Sequence, residues 1–413
     1  MQEHEFLINH KEIDIKNAVT RDAYKIIRPE SIPFISYPYE WSFSQLKDAA
    51  LLILQIQSEA LKHGMTLKNA SAFNIQFLRG KPAFTNTLSF QTYKEGDPWI
   101  AYNQFCRHFL APLALMKYKD AVMNQLFRIY LDGIPLDFTS HLLPIYAYFN
   151  PGVLKNIIIH HKHHSRSSPD YFPLINTSKT DINKLIDNLS NTIENLQWKP
   201  NSLYCENSFK HRSTTDTASD SKIEIVNKIL KTVKPRMVWD ISAKDGTFSK
   251  IASNNDSYVL SMDTDPSAVE MIYLNCKQTT ETRILPLLID LMNPSPCLGW
   301  NNQEHKSLIQ RGTTDLLIAF NVIHYLSVIN YLPFNKVADF FSKVCKSLLI
   351  EFIPESDSQI QHLLQSKFDT ASDYNTEIFI QCFSIFFEIQ SKFVLPDSER
   401  VLYLMRNKSE ITG

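Results

Sequence analysis

The second half of the chain predicts an α/β fold, a doubly wound parallel sheet with helices on both faces. The first half predicts a mainly helical α+β domain. Three observations carry the α/β assignment. Five short apolar runs, RMVWDI, SYVLSMD, RILPLLID, TDLLIAF and KSLLIEFIP, follow one another after Lys222. Helix-period stretches such as PSAVEMIYLNCK and PFNKVADFFSKVCK separate them, and strands alternating with helices build parallel sheets. The first three runs also close on carboxylates, Asp240, Asp263 and Asp290, at the strand ends where such sheets hold ligands.

The elements follow in order. In SQLKDAALLILQIQSEALKHG, apolar residues from Leu46 to Leu61 recur at helical spacing, and Gly64 is a stop. AFNIQF and PAFTNTLSF read as short strands about an Arg79-Gly80 turn. Trp99 to Leu143 returns to helix, with breaks expected at Pro112 and near Gly133. Polar composition, rich in Ser, Thr, Asp and His, marks residues 159–221 as a linker with some helix. The organisation is thus a domain over 1–158, that linker, and a second domain over 222–413. FFEIQSKFVL and RVLYLMRN, joined by PDSE, would add an antiparallel hairpin to the sheet.

Bulk properties narrow the function. The 413 residues carry 42 Lys plus Arg against 43 Asp plus Glu, a net charge of -1. Nucleic-acid binders usually show a basic excess, so no nucleic-acid partner is expected. No run of about 18 apolar residues suggests a membrane span, and the N-terminus lacks the apolar core of a signal peptide. Six scattered cysteines without CxxC pairs fit the reduced thiols of a cytoplasmic protein. His160, His161, His163 and His164 lack Cys or carboxylate at ligand spacing, and an exposed polar loop is the expectation there; no metal is expected.

The candidate cofactor site begins at Asp240. The loop ISAKDGTFS after it leads into a helix, and such loops need small residues for close backbone approach to a ligand. Asp263 comes 23 residues later, where a carboxylate can take both ribose hydroxyls. Asp265, before Pro266, is a helix cap.

VWDISAKDGTFSKIAS resembles motif I, commonly DxGxGxG, of class I S-adenosylmethionine (SAM)-dependent methyltransferases, and VLSMDTDPSAVE resembles the acidic motif that follows. DLMNPSPCLGW, QRGTTDLLIAFNVIHYL and LLIEFIPESDSQIQHLL, with YPYEWSFSQLKDAALLILQIQSEALKHGMTL and WIAYNQFCRHFLAPLAL upstream, are similar to a bacterial methyltransferase group related to a nodulation protein. That resemblance covers most of the chain. It implies a Rossmann-like seven-stranded sheet and SAM as cofactor. Asp240, Ser242 and Gly246 would face the methionine part, Asp263 the ribose, and Asp290 the adenine. Asn321 would also border the cofactor. The chain departs from the pattern where Ser242 replaces the first glycine and Lys244 replaces a small or amide residue. A non-catalytic interaction protein of the same fold is therefore the alternative reading.

Methyl transfer is an in-line displacement, catalysed largely by holding the acceptor close. Asn321, His324 and Tyr325, after the fourth run, would face an O or N acceptor on a small molecule or protein. His324 is the candidate base, since imidazole titrates near neutral pH; a packed histidine at a strand end is the competing reading. Tyr325, Glu351 and Glu355 are candidate acceptor contacts, with Asp357 and Gln359 beside them. Trp300 would wall a pocket or fill core. In the first half, HGMTLKNASAFNIQFLRGKPAFTNTLSF resembles the catalytic and metal loops of kinase-like phosphotransferases, with Asn69, Asn74 and Asn86 at the functional places. Asparagine supplies neither the carboxylate base nor the charged metal ligand, so a scaffolding or substrate-recognition role is expected.

Overall fold

The computed structural model describes residues 6–17, 22–160, 178–200, 217–358, 360–361, 374–396 and 398–410. The chain divides into two units, Met1–Lys199 and Pro200–Gly413.

The first unit is organised on helix α1 (Phe43–Lys62). Ser42 caps it, with Gln45 completing a reciprocal capping box, and Gly64 ends it at φ 69°. The Arg79-Gly80 pair joins Ile75–Leu78 to Lys81–Phe84 with both residues left-handed, the backbone a tight hairpin requires. Pro112 does not break the helical run. A π-turn over Cys106–Leu110 precedes Ala111–Tyr118, and Pro112 sits in that helix's first turn, where its missing N–H is no loss. The linker expectation also changes: Lys179–Asn195 forms helix α2, which buries Ile182, Ile186, Leu189 and Ile193 within the first unit. Lys47 Nζ secures its end by donating to the carbonyls of Glu194 and Leu196. Asn69 accepts from Asn74 Nδ2 and from the Ser71 amide, and Asn86 accepts from the Leu88 amide, so these asparagines serve local turns.

In the second unit helix α3 (Thr217–Val233) precedes a seven-stranded sheet. Its strands are β1 (Met237–Ile241), β2 (Tyr258–Asp263), β3 (Ile284–Leu288), β4 (Thr314–Ala319), β5 (Cys345–Phe352), β6 (Phe387–Val394) and β7 (Val401–Asn407). They lie in the order β6-β7-β5-β4-β1-β2-β3. The pairs β5/β4, β4/β1, β1/β2 and β2/β3 are parallel, while β7 runs antiparallel to β5 and β6. The chain winds outward from β1 to β3, then returns to the other side of β1 as β4, which makes β1/β4 the switch point. Pro286 interrupts no ladder badly because β3 is an edge strand.

Helices cover both faces. On one, Val238, Val259, Leu316 and Ile318 pack with α3, with α4 (Thr247–Asn254) and with α5 (Pro266–Gln278). On the other, Phe352 meets Phe334 of α6 (Phe334–Val344) and Phe379 of α7 (Thr376–Phe386), while Tyr403 also meets Phe379. Among the described residues no helix is long and apolar enough to cross a membrane.

Candidate functional site

Parallel strands deliver their carboxyl ends to one edge of the sheet. Asp240, Ser242, Asp263, Asp290, Asn321, His324 and Glu351 all lie at or just beyond those ends.

The loop between β1 and α4 is the most informative segment. Ser242, Lys244 and Gly246 have φ of 59°, 53° and 76°, so all three alternate positions are left-handed. L-residues avoid this region, yet two side-chain-bearing residues adopt it. Three contacts hold them there. The Ala243 amide donates to the Met262 carbonyl, the Gly246 amide to the Ala243 carbonyl, and the Lys244 amide to Asp263 Oδ2 at 2.9 Å. Gly246 has a second constraint, since a Cβ there would sit 3.1 Å from Ile272 Cγ1.

Asp263 is only 6% exposed at the tip of β2. Besides the Lys244 amide, its Oδ1 accepts from the Asp265 amide at 2.9 Å. Burial raises its pKa, and the Asp265 and Lys244 amides oppose that rise. The Thr264 amide also bears on this carboxylate, which still keeps acceptor capacity for a hydroxyl. Asp265 caps α5 through the Ser267 amide, as expected. Asp290 is half-buried just beyond β3, where the Ile289 amide donates to the Asp263 carbonyl and the Met292 amide to Asp290 Oδ1.

Asp240 differs from its expected placement. Its carboxyl is 2% exposed and accepts from Ser249 Oγ of α4 at 2.6 Å; Ser249 also contacts Ser261 Oγ of β2 at 2.8 Å. It thus faces the underside of α4 and is not presented to a ligand. Burial pushes its pKa up to about 7, against the Ser249 hydrogen bond, with the Asp263 charge adding to the rise.

After β4 the backbone turns at Asn321, φ 55°, whose amide donates to Glu351 Oε2 at 3.2 Å. His324 follows, largely buried, and its Nδ1 has no hydrogen-bond partner among the described residues. Burial holds its pKa below 6.5; Glu351 opposes this, and the charges of Lys244 and Arg400 add to it. Burial thus favours the uncharged imidazole. Tyr325 next to it is exposed.

Glu351 was expected to meet an acceptor, and the structure corrects this. It is 0% exposed, with Oε1 2.7 Å from Lys222 Nζ of α3 and 4.0 Å from Arg400. A buried carboxylate needs such a counter-charge to stay in place. Arg400 also pairs with Asp357 at 2.9 Å. Glu355 lies exposed in the turn after β5. Gln359 falls outside the described residues, as do His161, His163 and His164. Trp300 does not fill core, being 84% exposed. His160 Nε2 lies 3.3 Å from Asn103 Oδ1, and among the described residues no cluster of His, Cys, Asp or Glu could hold a metal.

Sequence reasoning missed Lys222, Ser249 and Ser261. It also missed the edge-on pair of Phe248 and Phe320, 4.8 Å apart, with Lys222 Nζ 5.6 Å from the Phe320 ring. For Lys222 the signal is non-local, because Lys222 and Glu351 stand 129 residues apart.

A seven-stranded, largely parallel sheet closed by an antiparallel hairpin, with a tight loop from β1 into α4, matches the Rossmann-like seven-stranded sheet that the sequence resemblance implies. The chain is 30% identical over 387 residues to nodulation protein NoeA of Rhizobium meliloti (strain 1021), a match spanning 92% of this chain and 81% of that protein. It belongs to the family of that protein. No model of a known protein family matches it. Among solved structures it is similar to the N-methyltransferase NodS from Bradyrhizobium japonicum WM9, at 13% identity and TM-score 0.35, covering 47% of this chain and 98% of that one. It is also similar to magnesium protoporphyrin IX methyltransferase from Synechocystis PCC 6803, at 14% identity and TM-score 0.34, covering 46% and 84%. These two likenesses do not bear on what this chain binds.

Proposed function

We propose that the second unit is a SAM-dependent methyltransferase acting on an O or N acceptor, a small molecule or a protein. The observation that carries the reading is the left-handed backbone at Ser242, Lys244 and Gly246. The left-handed loop persists although a serine stands at its first glycine position and a lysine at 244. Strain maintained at a strand-to-helix loop points to a ligand site. SAM, when bound, supplies an electrophilic methyl group.

The chain's own residues then divide the work. Asp263 would hold the ribose hydroxyls, and Asp290 would stand by the adenine. Ser242 and Gly246 line the methionine part, while Asp240 acts from beneath by fixing α4 through Ser249. Asn321 turns the chain so that His324 follows the β4 end. His324 would serve as the base that takes a proton from the acceptor's O–H or N–H. Tyr325 and Glu355, both exposed, contact the acceptor. The proposal places the protein in the cytoplasm, where the buried free thiols of Cys106, Cys276 and Cys345 are stable.

The non-catalytic reading rests on the side chains at Ser242 and Lys244, which glycine would not bring to the loop. Thermal unfolding with S-adenosylhomocysteine separates the two. A ligand at a hundred times its Kd stabilises the native state by about 2.7 kcal/mol, so the second unit should melt several degrees higher. A folded protein that shows no shift at millimolar ligand supports the non-catalytic reading.

A further inference from the structure

The first unit carries a cleft of about 490 Å³ between the turn at residues 145–152 and helix α2. The turn contributes Tyr146, Phe149 and Asn150, backed by Tyr118; α2 contributes Asn191 and Asn195. Among the described residues, no carboxylate, ammonium, guanidinium or imidazole lines it.

The rings are fixed in different ways. Tyr118 and Tyr146 meet edge-on at 5.8 Å, and the Tyr146 hydroxyl donates to the Tyr118 carbonyl at 3.2 Å. Phe149 instead presents a bare ring, 84% exposed. An aromatic held in water beside other aromatics is a contact surface waiting for a partner.

The helix wall is equally specific. Asn188, Asn191 and Asn195 stand at i, i+3 and i+7 and so share one face of α2. Asparagine is a poor helix former, and Asn191 and Asn195 are exposed, so packing does not recompense their presence. Neither side-chain amide is engaged by the described residues, and each offers two donors and one acceptor. The floor is rigid: Asn150 Oδ1 accepts from the Gly152 and Val153 amides. Gly152 lies so close to α2 that a Cβ would fall 1.9 Å from Thr192 Oγ1.

Rings beside free amides, without charge, select a ligand with apolar C–H faces edged by hydroxyls. We propose that this cleft binds a neutral oligosaccharide, with Phe149 stacking on a sugar ring and Asn191 and Asn195 bonding its hydroxyls. A phosphate or nucleic acid would find no cation here. An apolar peptide or acyl chain would strip water from the amides without replacing their hydrogen bonds.

The test is saturation-transfer NMR and calorimetry on the full chain, with neutral tetrasaccharides of β-1,4-glucose, α-1,4-glucose and β-1,4-mannose as probes. At least one should bind. Phe149→Ala and the double variant Asn191→Ala with Asn195→Ala should each weaken it tenfold or more. Both changes are on exposed residues, so the melting temperature and any binding of S-adenosylhomocysteine should be unchanged, which separates this site from the methyltransferase reading. The proposal is overturned if no tetrasaccharide binds at roughly 20 mM, enough to fill a site of millimolar Kd, or if the variants bind as wild type does. It is equally overturned if an apolar dye occupies the cleft in a Phe149-dependent way and no sugar displaces it.

Discussion

Replacing Ser242 and Lys244 by glycine should stabilise the second unit. Both residues are left-handed, at φ 59° and 53°, a conformation that costs a side-chain-bearing residue about 1–2 kcal/mol. Glycine removes that strain but adds roughly 0.5–1 kcal/mol of backbone entropy to the unfolded chain. The net gain is about 0.5–1 kcal/mol per site, and little is lost against it. Lys244 is exposed, and its contact with Asp263 comes from the backbone amide, which glycine keeps. In a domain of 150–250 residues each kcal/mol raises the melting temperature by roughly 2–4 °C. The double variant should therefore melt about 2–8 °C higher in calorimetry, following the transition of the second unit. The loop backbone is already in place, so affinity for S-adenosylhomocysteine should move by less than tenfold, about 1.4 kcal/mol. If both glycine variants are less stable than wild type, the loop is not strained and the argument from its conformation fails.

Two further predictions concern buried titrating groups. Asp240 has its pKa raised from 3.8 to about 7. A raised carboxyl pKa means that ionisation opposes folding, so wild type loses stability relative to Asp240→Asn as pH rises from 3.8 to 7. At 1.36 kcal/mol per unit this reaches at most about 4 kcal/mol, and urea unfolding at pH 4.5 and 7.5 should show the gap opening; a pH-independent gap would contradict the burial argument. His324 has a pKa lowered below 6.5 by burial, so its contribution to stability is present above pH 6.5 and is lost as pH falls through the folded value. As a base it should keep turnover level to below pH 6.5, and His324→Ala should cut turnover by about 10²–10⁴-fold with S-adenosylhomocysteine binding intact; normal turnover would reduce it to packing.

The sheet was legible because its strands are buried on both faces and read as continuous apolar runs. The place of Asp263 was legible, since a carboxylate closing an apolar run falls at a strand tip. Asp240 and Glu351 occupy strand ends too, yet their side chains point to the face covered by α3 and α4, where Ser249 and Lys222 meet them. Sequence position fixes the end of a strand, but which face a carboxylate takes depends on register against neighbouring strands. Pro112 misled for a related reason: a π-turn ahead of it supplies the offset that a proline needs, and no residue type announces such a turn. Trp300 was read by size, whereas it projects from a short turn after Gly299, φ 85°, with nothing packed over it.

The proposed function requires the second unit to bind SAM through Asp263 and the loop before α4. Calorimetric titration with S-adenosylhomocysteine tests it most directly, on wild type and Asp263→Ala side by side. Two charge-assisted hydrogen bonds to the ribose are worth roughly 1.5–3 kcal/mol each. Wild type should bind one equivalent, and the variant, shown to be folded by its melting curve, should bind at least tenfold more weakly. No binding by folded wild type at millimolar ligand, or equal binding by the two proteins, would contradict the account.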